Sequence, residues 1–486
     1  MAHEFSPVSL RTRAAPAVAP PRNIPALTSL CLAAADLVAL VIARQSGVAA
    51  WRLFNPGVGP ENFFDFGVSV ALSILVYAAF GLYAAAGLSP VDELRRSVFA
   101  TALVALTLTA GAFLAKEAST YSRGVFLVTG AFVSFLVPFL RAVLRSLAAA
   151  RPWWGVPVVI AGAGKTARMV IESLRDLPEL GLKPVACLDD DPAKWGDLAG
   201  VPVAGPLRLA PRFQALGCGH VIVAMPGVDR GVLLGVIERH LPGFSHVIVI
   251  PNLFGMASLW VSPRDLGGVL GLELRRNLLA RSNQALKRAL DLGVALVAGV
   301  VALPVIALAA LWIRLSSRGP AFYVQTREGQ HGRPLRVFKL RTMHVDAGDR
   351  LDRHLAASPA ARAEWDSRLK LRHDPRVLPG IGRFLRRTSL DELPQLWNVL
   401  AGDMSLVGPR PFPAYHLARF DPEFRALRRR VKPGLTGLWQ VSARGDGGLD
   451  VQQALDSYYI RNWSLWLDLY LLGRTIRAVI AARGAY

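Results

Sequence analysis

The sequence predicts a membrane protein that combines an all-α part with an α/β part, and three observations lead to this class. The 486 residues are 52% hydrophobic and only 19% charged, which is too apolar for an ordinary water-soluble protein. Long apolar segments follow one another near the N-terminus. Short β-branched segments alternate with helix-like ones further along the chain. The length allows two or three domains.

The charge and the metal-binding residue types narrow the possible partners. A formal net charge of +21 suits nucleic acid, anionic lipid headgroups or phosphorylated substrates. The basic residues are dispersed among apolar segments, without an RNP-type aromatic motif, so no nucleic acid partner is expected. The three cysteines lack CxxC spacing and the nine histidines lack HExxH pairing. We therefore expect no disulfide framework and no transition metal, and any metal ion should be bound by oxygen.

Residues 1–25 are rich in Pro, Ala and Arg and are expected to form a disordered cytoplasmic tail. Residues 26–150 are predicted to form a four-helix transmembrane bundle, because each of four apolar segments approaches the ~20 residues that cross a bilayer. The segments are 26–43, 63–83, 98–115 and 124–144. Arginines precede the first segment, lie between the second and third, and follow the fourth. The positive-inside rule therefore places both ends of the bundle in the cytoplasm.

Residues 151–280 are predicted to hold a Rossmann-like cytoplasmic domain and a linker. Four β-branched runs alternate with helix-like segments, which indicates a parallel sheet. The runs are 157–161, 184–188, 220–224 and 246–250. Gly162, Gly164 and Ala167 form a GxGxxA turn after the first run, the layout of a dinucleotide-binding unit. A tight strand-to-helix connection without any ligand is an equal alternative. A Walker A loop is excluded because Val159 stands where that motif needs glycine.

An apolar run from 289 to 313 has basic residues on both sides and Pro304 in its middle. Basic flanks at both ends are typical of a helix that enters and leaves the membrane on its cytoplasmic face, and proline removes a backbone donor at the break. We therefore predict a re-entrant helix over 287–316. The alternative is a proline-kinked spanning helix, which would place everything after it in the periplasm.

Two short motifs after this helix could bind phosphate. Lys339 and Arg341 stand two residues apart, and such a pair can hold a diphosphate, although a solvated basic face is the alternative. Arg386 precedes the acidic pair Asp391 and Glu392. Ser389 stands three residues before Glu392, so this stretch also matches a capping box at the start of a helix.

The stretch from Ser389 continues as a longer pattern through Asn398, Gly402, Asp403, Gly408, Pro409, Arg410 and Pro411. This pattern resembles the signature of the bacterial sugar transferases, the monotopic phosphoglycosyl transferases that start polysaccharide assembly on undecaprenyl phosphate. Four further motifs carry the resemblance: 322–327, 338–343, 432–440 and 456–469. The upstream bundle and α/β domain also resemble the long members. One departure from the family pattern is Leu303: many relatives have Ser directly before the proline of the re-entrant helix.

The resemblance implies that residues 281–486 form a mainly helical, monotopic catalytic domain on the cytoplasmic face of the bacterial inner membrane. It implies transfer of a hexose 1-phosphate from a UDP-sugar to undecaprenyl phosphate, with release of UMP and a covalent aspartyl phosphosugar intermediate. Asp391 would be the nucleophile, and Glu392 would bind Mg²⁺ with it or orient it. The implied phosphate-binding residues are Lys339, Arg341, Arg386 and Arg410, with Asp456 as a further carboxylate.

Two partners beyond the substrates are also expected. The long members suggest a homodimer. The C-terminal segment carries apolar and aromatic residues at helical spacing with arginines nearby: Trp463, Trp466, Leu467, Tyr470 and Leu471, with Arg474, Arg477 and Arg483. Its helix therefore either lies on membrane lipids or packs against the catalytic core.

Two other functions fit parts of the sequence. A membrane-anchored NAD-dependent nucleotide-sugar dehydratase or epimerase would explain the GxGxxA turn, but it needs a YxxxK pair, and no tyrosine of this chain has lysine four residues later. A non-catalytic scaffold whose α/β domain senses a nucleotide is the second alternative.

Overall fold

The computed structural model describes residues 23–57, 65–116, 121–252, 261–265, 267, 270–274, 278, 281–368, 371, 373–442 and 448–480. The chain divides into two compact units, Met1–Phe254 and Gly255–Tyr486. Most of the predicted N-terminal tail lies outside the described residues. The predicted domain limits within these units remain predictions.

The first unit begins with a helical bundle. Its helices are α1 (Pro25–Arg52), α2 (Phe66–Ala79), α3 (Pro90–Leu114) and α4 (Arg123–Ala148). Helices α1, α3 and α4 are long and apolar enough to cross a membrane, as predicted. Helix α2 is shorter than expected: its 14 residues extend about 21 Å. Asp65 caps its start by accepting a hydrogen bond from the Val68 amide, and the left-handed Gly81 follows its end.

A buried network of charged side chains joins three bundle helices. Arg141 on α4 donates hydrogen bonds to both carboxylate oxygens of Asp36 on α1, at 2.7 and 2.5 Å, and to Glu93 on α3 at 2.9 Å. Arg145 donates to Glu93 at 2.8 Å and to the Glu179 carbonyl in the α/β part at 3.1 Å. Each buried charge thus has an opposite partner, which offsets the cost of removing it from water. The network connects the bundle to the α/β part of the same unit.

The α/β part contains the predicted parallel sheet. Its elements are β1 (Val156–Ala161), α5 (Lys165–Asp176), β2 (Leu182–Leu188), β3 (Gly196–Leu198), β4 (Val201–Gly205), α6 (Ala210–Ala215), β5 (His220–Val223), α7 (Arg230–His240) and β6 (His246–Val249). The strand order is β3-β4-β2-β1-β5-β6, and only β3 is antiparallel to its neighbour. Strands β1, β2, β5 and β6 correspond to the four predicted runs. The short β3–β4 hairpin was not predicted.

The GxGxxA turn connects β1 to α5. Gly162 has φ +102°, and a Cβ atom there would lie 2.6 Å from Cγ of Met225, so this position requires glycine. Gly164 is the residue before α5, and Ala167 is fully buried. The Ala163 amide donates to the Asp189 carboxylate at 2.8 Å. The Asp189 carboxylate therefore already accepts a hydrogen bond from one amide of the turn. Nucleotide binding here remains a prediction.

The second unit is mainly helical, as predicted. Its elements are β7 (Val261–Asp265), β8 (Leu270–Leu274), α8 (Arg281–Ser316), β9 (Phe322–Glu328), β10 (Pro334–Leu340), α9 (Ala347–Ala357), α10 (Pro359–Arg368), α11 (Ile381–Thr388), α12 (Gln395–Ala401), β11 (Ser405–Val407), α13 (Ala414–Leu417), α14 (Pro422–Arg428), β12 (Gly434–Thr436), α15 (Leu438–Ser442), α16 (Leu449–Arg461) and α17 (Leu465–Ile480). Strands β7–β8 and β9–β10 pair antiparallel, and β11–β12 pair parallel.

Helix α8 contains the long apolar run and continues through Pro304 as one helix. Both of its ends contact the rest of the second unit. Near the start, Lys287 donates hydrogen bonds to Asp468 at 2.6 Å and to the Val407 carbonyl at 3.0 Å. Near the end, Ile313 is fully buried in a cluster with residues of β10 and α11. The middle of α8 exposes large apolar side chains, among them Val300 at 70%. This apolar surface suits lipid.

The C-terminal helix α17 packs against the rest of the second unit. Trp463, just before it, and Leu467 and Leu471 within it are all buried. Packing against the core therefore holds for these three side chains, whereas Trp466 and Tyr470 are only partly buried, and contact of this helix with lipid remains a prediction.

Candidate active site

The acidic pair lies in a tight turn between two helices. Helix α11 ends at Thr388, and Ser389 adopts a left-handed conformation with φ +58°, which is unfavourable for a residue other than glycine. A short 3₁₀ turn, Leu390–Glu392, follows before α12 begins. The Ser389 side chain makes no capping hydrogen bond to this turn, so the capping-box interpretation is wrong. The turn instead brings Glu392 to basic side chains from other parts of the chain.

Glu392 is held by two cations. Lys339 Nζ on β10 donates to Glu392 Oε1 at 2.8 Å, and Arg410 Nη2 after β11 donates to the same oxygen at 2.7 Å. Burial alone would raise the pKa of Glu392, but the Arg410 and Lys339 charges outweigh it and hold this pKa well below its usual range. Glu392 is therefore a fixed carboxylate at neutral pH.

Asp391 is also largely shielded from solvent but is not held in this way. Its exposed fraction is 9%, and no hydrogen bond to its carboxylate comes from any residue that the structure describes. Burial raises the pKa of Asp391, Lys339 partly offsets this, Glu392 adds to it, and Arg386 and Arg410 lower it. The half-buried Arg386 on α11 is thus close enough to act on Asp391 electrostatically. Asp391 is thus the carboxylate of the pair that accepts no hydrogen bond from the described residues.

The β9–β10 hairpin adds a cation that was not assigned to the site from the sequence. Lys339 is opposite Tyr323, and Leu335 is opposite Arg327, so side-chain alternation puts Lys339 and Arg327 on one face of the hairpin. Arg327 donates to Gln325 Oε1 at 2.6 Å. Burial and the nearby Arg410 charge lower the pKa of Arg327. The alternation of side chains along Phe322–Arg327 could have indicated from the sequence that Arg327 belongs to the site.

Arg341 lies elsewhere than expected. Its guanidinium donates to the Ser317 side chain at 2.7 Å and to the Pro320 carbonyl at 2.6 Å, just after α8 ends. The structure gives it no hydrogen bond to Asp391 or Glu392. These contacts anchor the end of α8 to β10, and phosphate binding by Arg341 remains a prediction.

Asp456 lies behind Arg410, not beside the acidic pair. It is buried on α16 and pairs with Arg428 at 3.3 Å. Arg428 in turn donates to the Arg410 carbonyl at 2.5 Å and lies over the ring of Phe412 at 4.9 Å. Burial raises the pKa of Asp456 to about 7, and Arg428 offsets only part of this increase. Through Arg428, Asp456 is therefore suited to positioning Arg410.

The two carboxylates of the acidic pair are the candidate donors for Mg²⁺. No three or more His, Cys, Asp or Glu side chains converge anywhere in the described ranges. Mg²⁺ typically keeps several waters and takes one or two carboxylates together with substrate phosphates. Asp391 and Glu392 fit this kind of donor set, which needs no preformed cage.

The family model for the bacterial sugar transferases matches residues 282–482. This range contains the acidic pair and the four basic residues near it: Arg327, Lys339, Arg386 and Arg410. The chain is also 35% identical over 374 residues to the undecaprenyl-phosphate galactose phosphotransferase of Salmonella typhimurium, covering 75% of this chain and 77% of that relative. This chain belongs to the bacterial sugar transferase family. The resemblance noted in its motifs is thereby confirmed, and the transferase is an enzyme of the phosphoglycosyl transferase type.

Two further relatives extend the comparison. The transferase is 33% identical over 336 residues to the UDP-glucose:undecaprenyl-phosphate glucose-1-phosphate transferase of Escherichia coli, over 68% of each chain. It is 41% identical over 201 residues to the exopolysaccharide production protein ExoY of Sinorhizobium fredii, covering 41% of the transferase but 88% of ExoY. A CoA-binding domain family model matches residues 78–251, which contain bundle helices α3 and α4 and the α/β part.

Proposed function

We propose that this transferase moves a hexose 1-phosphate from a UDP-sugar to undecaprenyl phosphate, releases UMP and so starts the assembly of a polysaccharide. The observation that carries the proposal is the asymmetry of the acidic pair: Glu392 is held by Lys339 and Arg410, whereas the adjacent Asp391 is buried and without a hydrogen-bond donor. The names of the relatives support the same donor and acceptor. Family membership favours this reaction over the dehydratase and scaffold alternatives.

In the first step, a carboxylate oxygen of Asp391 attacks the phosphorus that bears the sugar. A bond forms between this oxygen and phosphorus, and the bond from phosphorus to the bridging oxygen breaks. UMP leaves with the bridging oxygen and its electron pair. Lys339, Arg386 and Arg410 lie around the pair and neutralise the diphosphate, whose charge would otherwise repel an anionic nucleophile.

In the second step, a phosphate oxygen of undecaprenyl phosphate attacks the same phosphorus. The bond to Asp391 breaks, the carboxylate is restored, and the product is an undecaprenyl diphosphate sugar. Asp391 and Glu392 would hold Mg²⁺, which when bound supplies positive charge against the diphosphate. Glu392, kept ionised by its two cations, would be able to hold the ion at neutral pH.

The pH dependence should report the positioning role of Asp456. Above about pH 7 its carboxylate ionises and pairs fully with Arg428, so we expect kcat to rise between about pH 6 and 8. Asp456→Asn should lack this rise and lose about tenfold in kcat at pH 8, with little change in KM. The stability of the fold should change with pH in the opposite direction to kcat. Because the pKa of Asp456 is raised in the folded protein, its contribution to the free energy of unfolding falls as pH rises from about 4 to 7. A purely structural Asp456 would leave the shape of the kcat profile unchanged.

We further propose that the enzyme resides in the bacterial inner membrane, with the second unit on the cytoplasmic face and α8 as a re-entrant helix over 287–316. Three features support this: basic residues on both flanks, contacts from both ends of α8 to the same unit, and an exposed apolar middle around Pro304.

Labelling from one side of the membrane tests this orientation. In a variant without native cysteines, single cysteines at Asn283 and Arg318 flank the apolar run, and one at Leu53 marks the far end of α1. We expect Asn283 and Arg318 to react with a membrane-impermeant maleimide from the same side, and Leu53 from the opposite side. Opposite sidedness of the first two would show that α8 spans the membrane.

The function itself is tested with the purified full-length protein, Mg²⁺, undecaprenyl phosphate and a panel of UDP-sugars, by measuring UMP release. We expect release with at least one UDP-hexose, with UDP-galactose and UDP-glucose as the first candidates from the relatives' names. No release with any sugar would contradict the proposal. The predicted homodimer is checked in the same preparation by the mass of the protein in detergent.

A further inference from the structure

The second unit contains a cavity at the start of α8. Its volume is about 360 Å³, and its walls come from α8, from the turn between β9 and β10, and from the segment before β12. This volume is more than twice the roughly 150 Å³ of an apolar cavity that accepts benzene, so it has room for a phosphate and a glycerol unit. Arg288 of the lining contacts the C-terminal end of α12, whereas the acidic pair precedes the other end, about 10 Å away.

Four basic side chains line the cavity, and two of them are fixed by the fold. Lys287 donates a hydrogen bond to Asp468 at 2.6 Å, and this carboxylate neutralises its charge. Arg288 donates to the carbonyls of Val399 at 2.5 Å and Leu400 at 2.9 Å. These bonds hold the Arg288 guanidinium at the cavity, and no carboxylate among the described residues forms an ion pair with it.

The other two basic side chains, Arg430 and Lys432, make no hydrogen bond or ion pair with any residue that the structure describes. Lys432 Nζ and Arg288 Nη2 both lie within 4 Å of the position that a Cβ atom on Gly402 would occupy, so these two cations are neighbours. Burial lowers the pKa of Lys432, and the Arg288 charge lowers it further. An anion between Lys432 and Arg288 would offset their repulsion.

Acidic side chains compensate this positive charge only in part. Asp291 is the one acid of the lining within the described ranges, and its carboxylate accepts a hydrogen bond from the Leu406 amide at 3.0 Å. Asp291 and Asp403 both act on Lys432 electrostatically, but neither forms an ion pair with it. Two carboxylates against Arg288, Arg430 and Lys432 leave the cavity with a net positive charge.

The cavity lies where the apolar part of α8 begins. Leu292 and Leu296 follow Arg288 at intervals of four residues, which places all three along one side of the helix. Leu292 is 38% exposed and Leu296 is 61% exposed. A basic cavity and an exposed apolar stripe are therefore consecutive on α8. A ligand with an anionic head and a hydrocarbon chain can use both features, whereas a water-soluble phosphate can use only the first.

We propose that this cavity binds the phosphate of an anionic phospholipid such as phosphatidylglycerol. The phosphate lies between Arg288 and Lys432, Arg430 contacts the same headgroup, and an acyl chain extends along Leu292 and Leu296. Basic pockets beside membrane helices on the cytoplasmic side are suited to anionic headgroups. The inference rests on the proposed membrane position of α8 but not on the transfer reaction, because the lining contains neither the acidic pair nor the four basic residues near it.

One pair of variants tests the charge. Arg430→Gln with Lys432→Gln removes the two unpaired cations. Arg333→Gln with Arg336→Gln is the matched control, because both residues are exposed, both lie outside the lining, and the change in net charge is the same.

A second pair tests the space and keeps every charge. Ala285 is exposed and lines the cavity, so Ala285→Phe reduces the room for a ligand. Ala289 is also exposed and lies about one turn further along α8, outside the lining, so Ala289→Phe is its control. The elution volume of each variant should match that of the parent, which shows that it is folded.

The probe is phosphatidylglycerol with a diazirine at the start of one acyl chain, applied to the full-length protein in detergent without UDP-sugar. We expect crosslinks in residues 284–296 that decrease at least about tenfold in the Arg430/Lys432 variant and in Ala285→Phe, but not in the controls. Crosslinks around Val300, which is 70% exposed, report ordinary lipid contact and should stay constant. Asp391→Asn should retain all crosslinks while releasing no UMP, so the two proposals can fail separately.

Four results would overturn the proposal. The first is equal labelling of the variants and their controls. The second is equal labelling of residues 284–296 by phosphatidylethanolamine with the same diazirine, whose headgroup has no net charge. The third is competition by UMP or inorganic phosphate as effective as that by unlabelled phosphatidylglycerol, which would indicate a site for soluble anions. The fourth is competition by undecaprenyl phosphate alone, which would assign the cavity to the acceptor lipid.

Discussion

Asp391→Asn is expected to lower UMP release by on the order of 10⁴-fold or more, the scale of loss seen when a covalent nucleophile is removed. The amide has the same size as the carboxylate, so the buried turn keeps its shape, but the amide oxygen cannot attack phosphorus. Since no described residue donates a hydrogen bond to Asp391, the substitution breaks no contact that positions Lys339 or Arg410.

The decisive measurement for Asp391 is the covalent adduct. Incubation with a UDP-sugar labelled in the sugar, without lipid acceptor, should label the wild-type protein and leave Asp391→Asn unlabelled. Asp403→Asn is the matched control, because Asp403 is exposed and lies only twelve residues further along the chain. An adduct that persists in Asp391→Asn would disprove the assignment of the nucleophile.

Arg410→Gln is expected to have the second largest effect, a loss of about 10³-fold in kcat. The substitution removes one of the two cations on Glu392 and a charge that stabilises the departing phosphate. In this variant only Lys339 remains hydrogen-bonded to Glu392 and opposes the effect of burial, so the pKa of Glu392 should rise. The residual activity should therefore fall with acidification at a higher pH than in the wild-type protein.

Arg341→Gln separates catalytic from structural arginines in the same assay. Its guanidinium contacts Ser317 and Pro320, so we expect kcat within a few-fold of wild type and a lower unfolding temperature. A loss equal to that of Arg410→Gln, without loss of stability, would instead establish the phosphate-binding role predicted from the motif.

Regular patterns along the chain were sufficient to predict most of the architecture. Apolar composition predicted three bundle spans, because membrane crossing depends on the length and hydrophobicity of one continuous segment. The β-branched runs predicted β1, β2, β5 and β6. Helix α2 was the exception: its limits depend on the Asp65 cap and on Gly81, which a hydropathy pattern does not detect.

The sequence by itself determined the membrane class, the parallel sheet and, through its motifs, the family and the acidic pair. Only the tertiary structure separated the roles within that site, because side-chain partners come from distant parts of the chain: Lys339 and Glu392 are 53 residues apart. It placed Arg341 at the end of α8, added Arg327 to the site and put Asp456 behind Arg428. Hydrophobic patterning is local, whereas these hydrogen bonds exist only after the helices and the hairpin have packed.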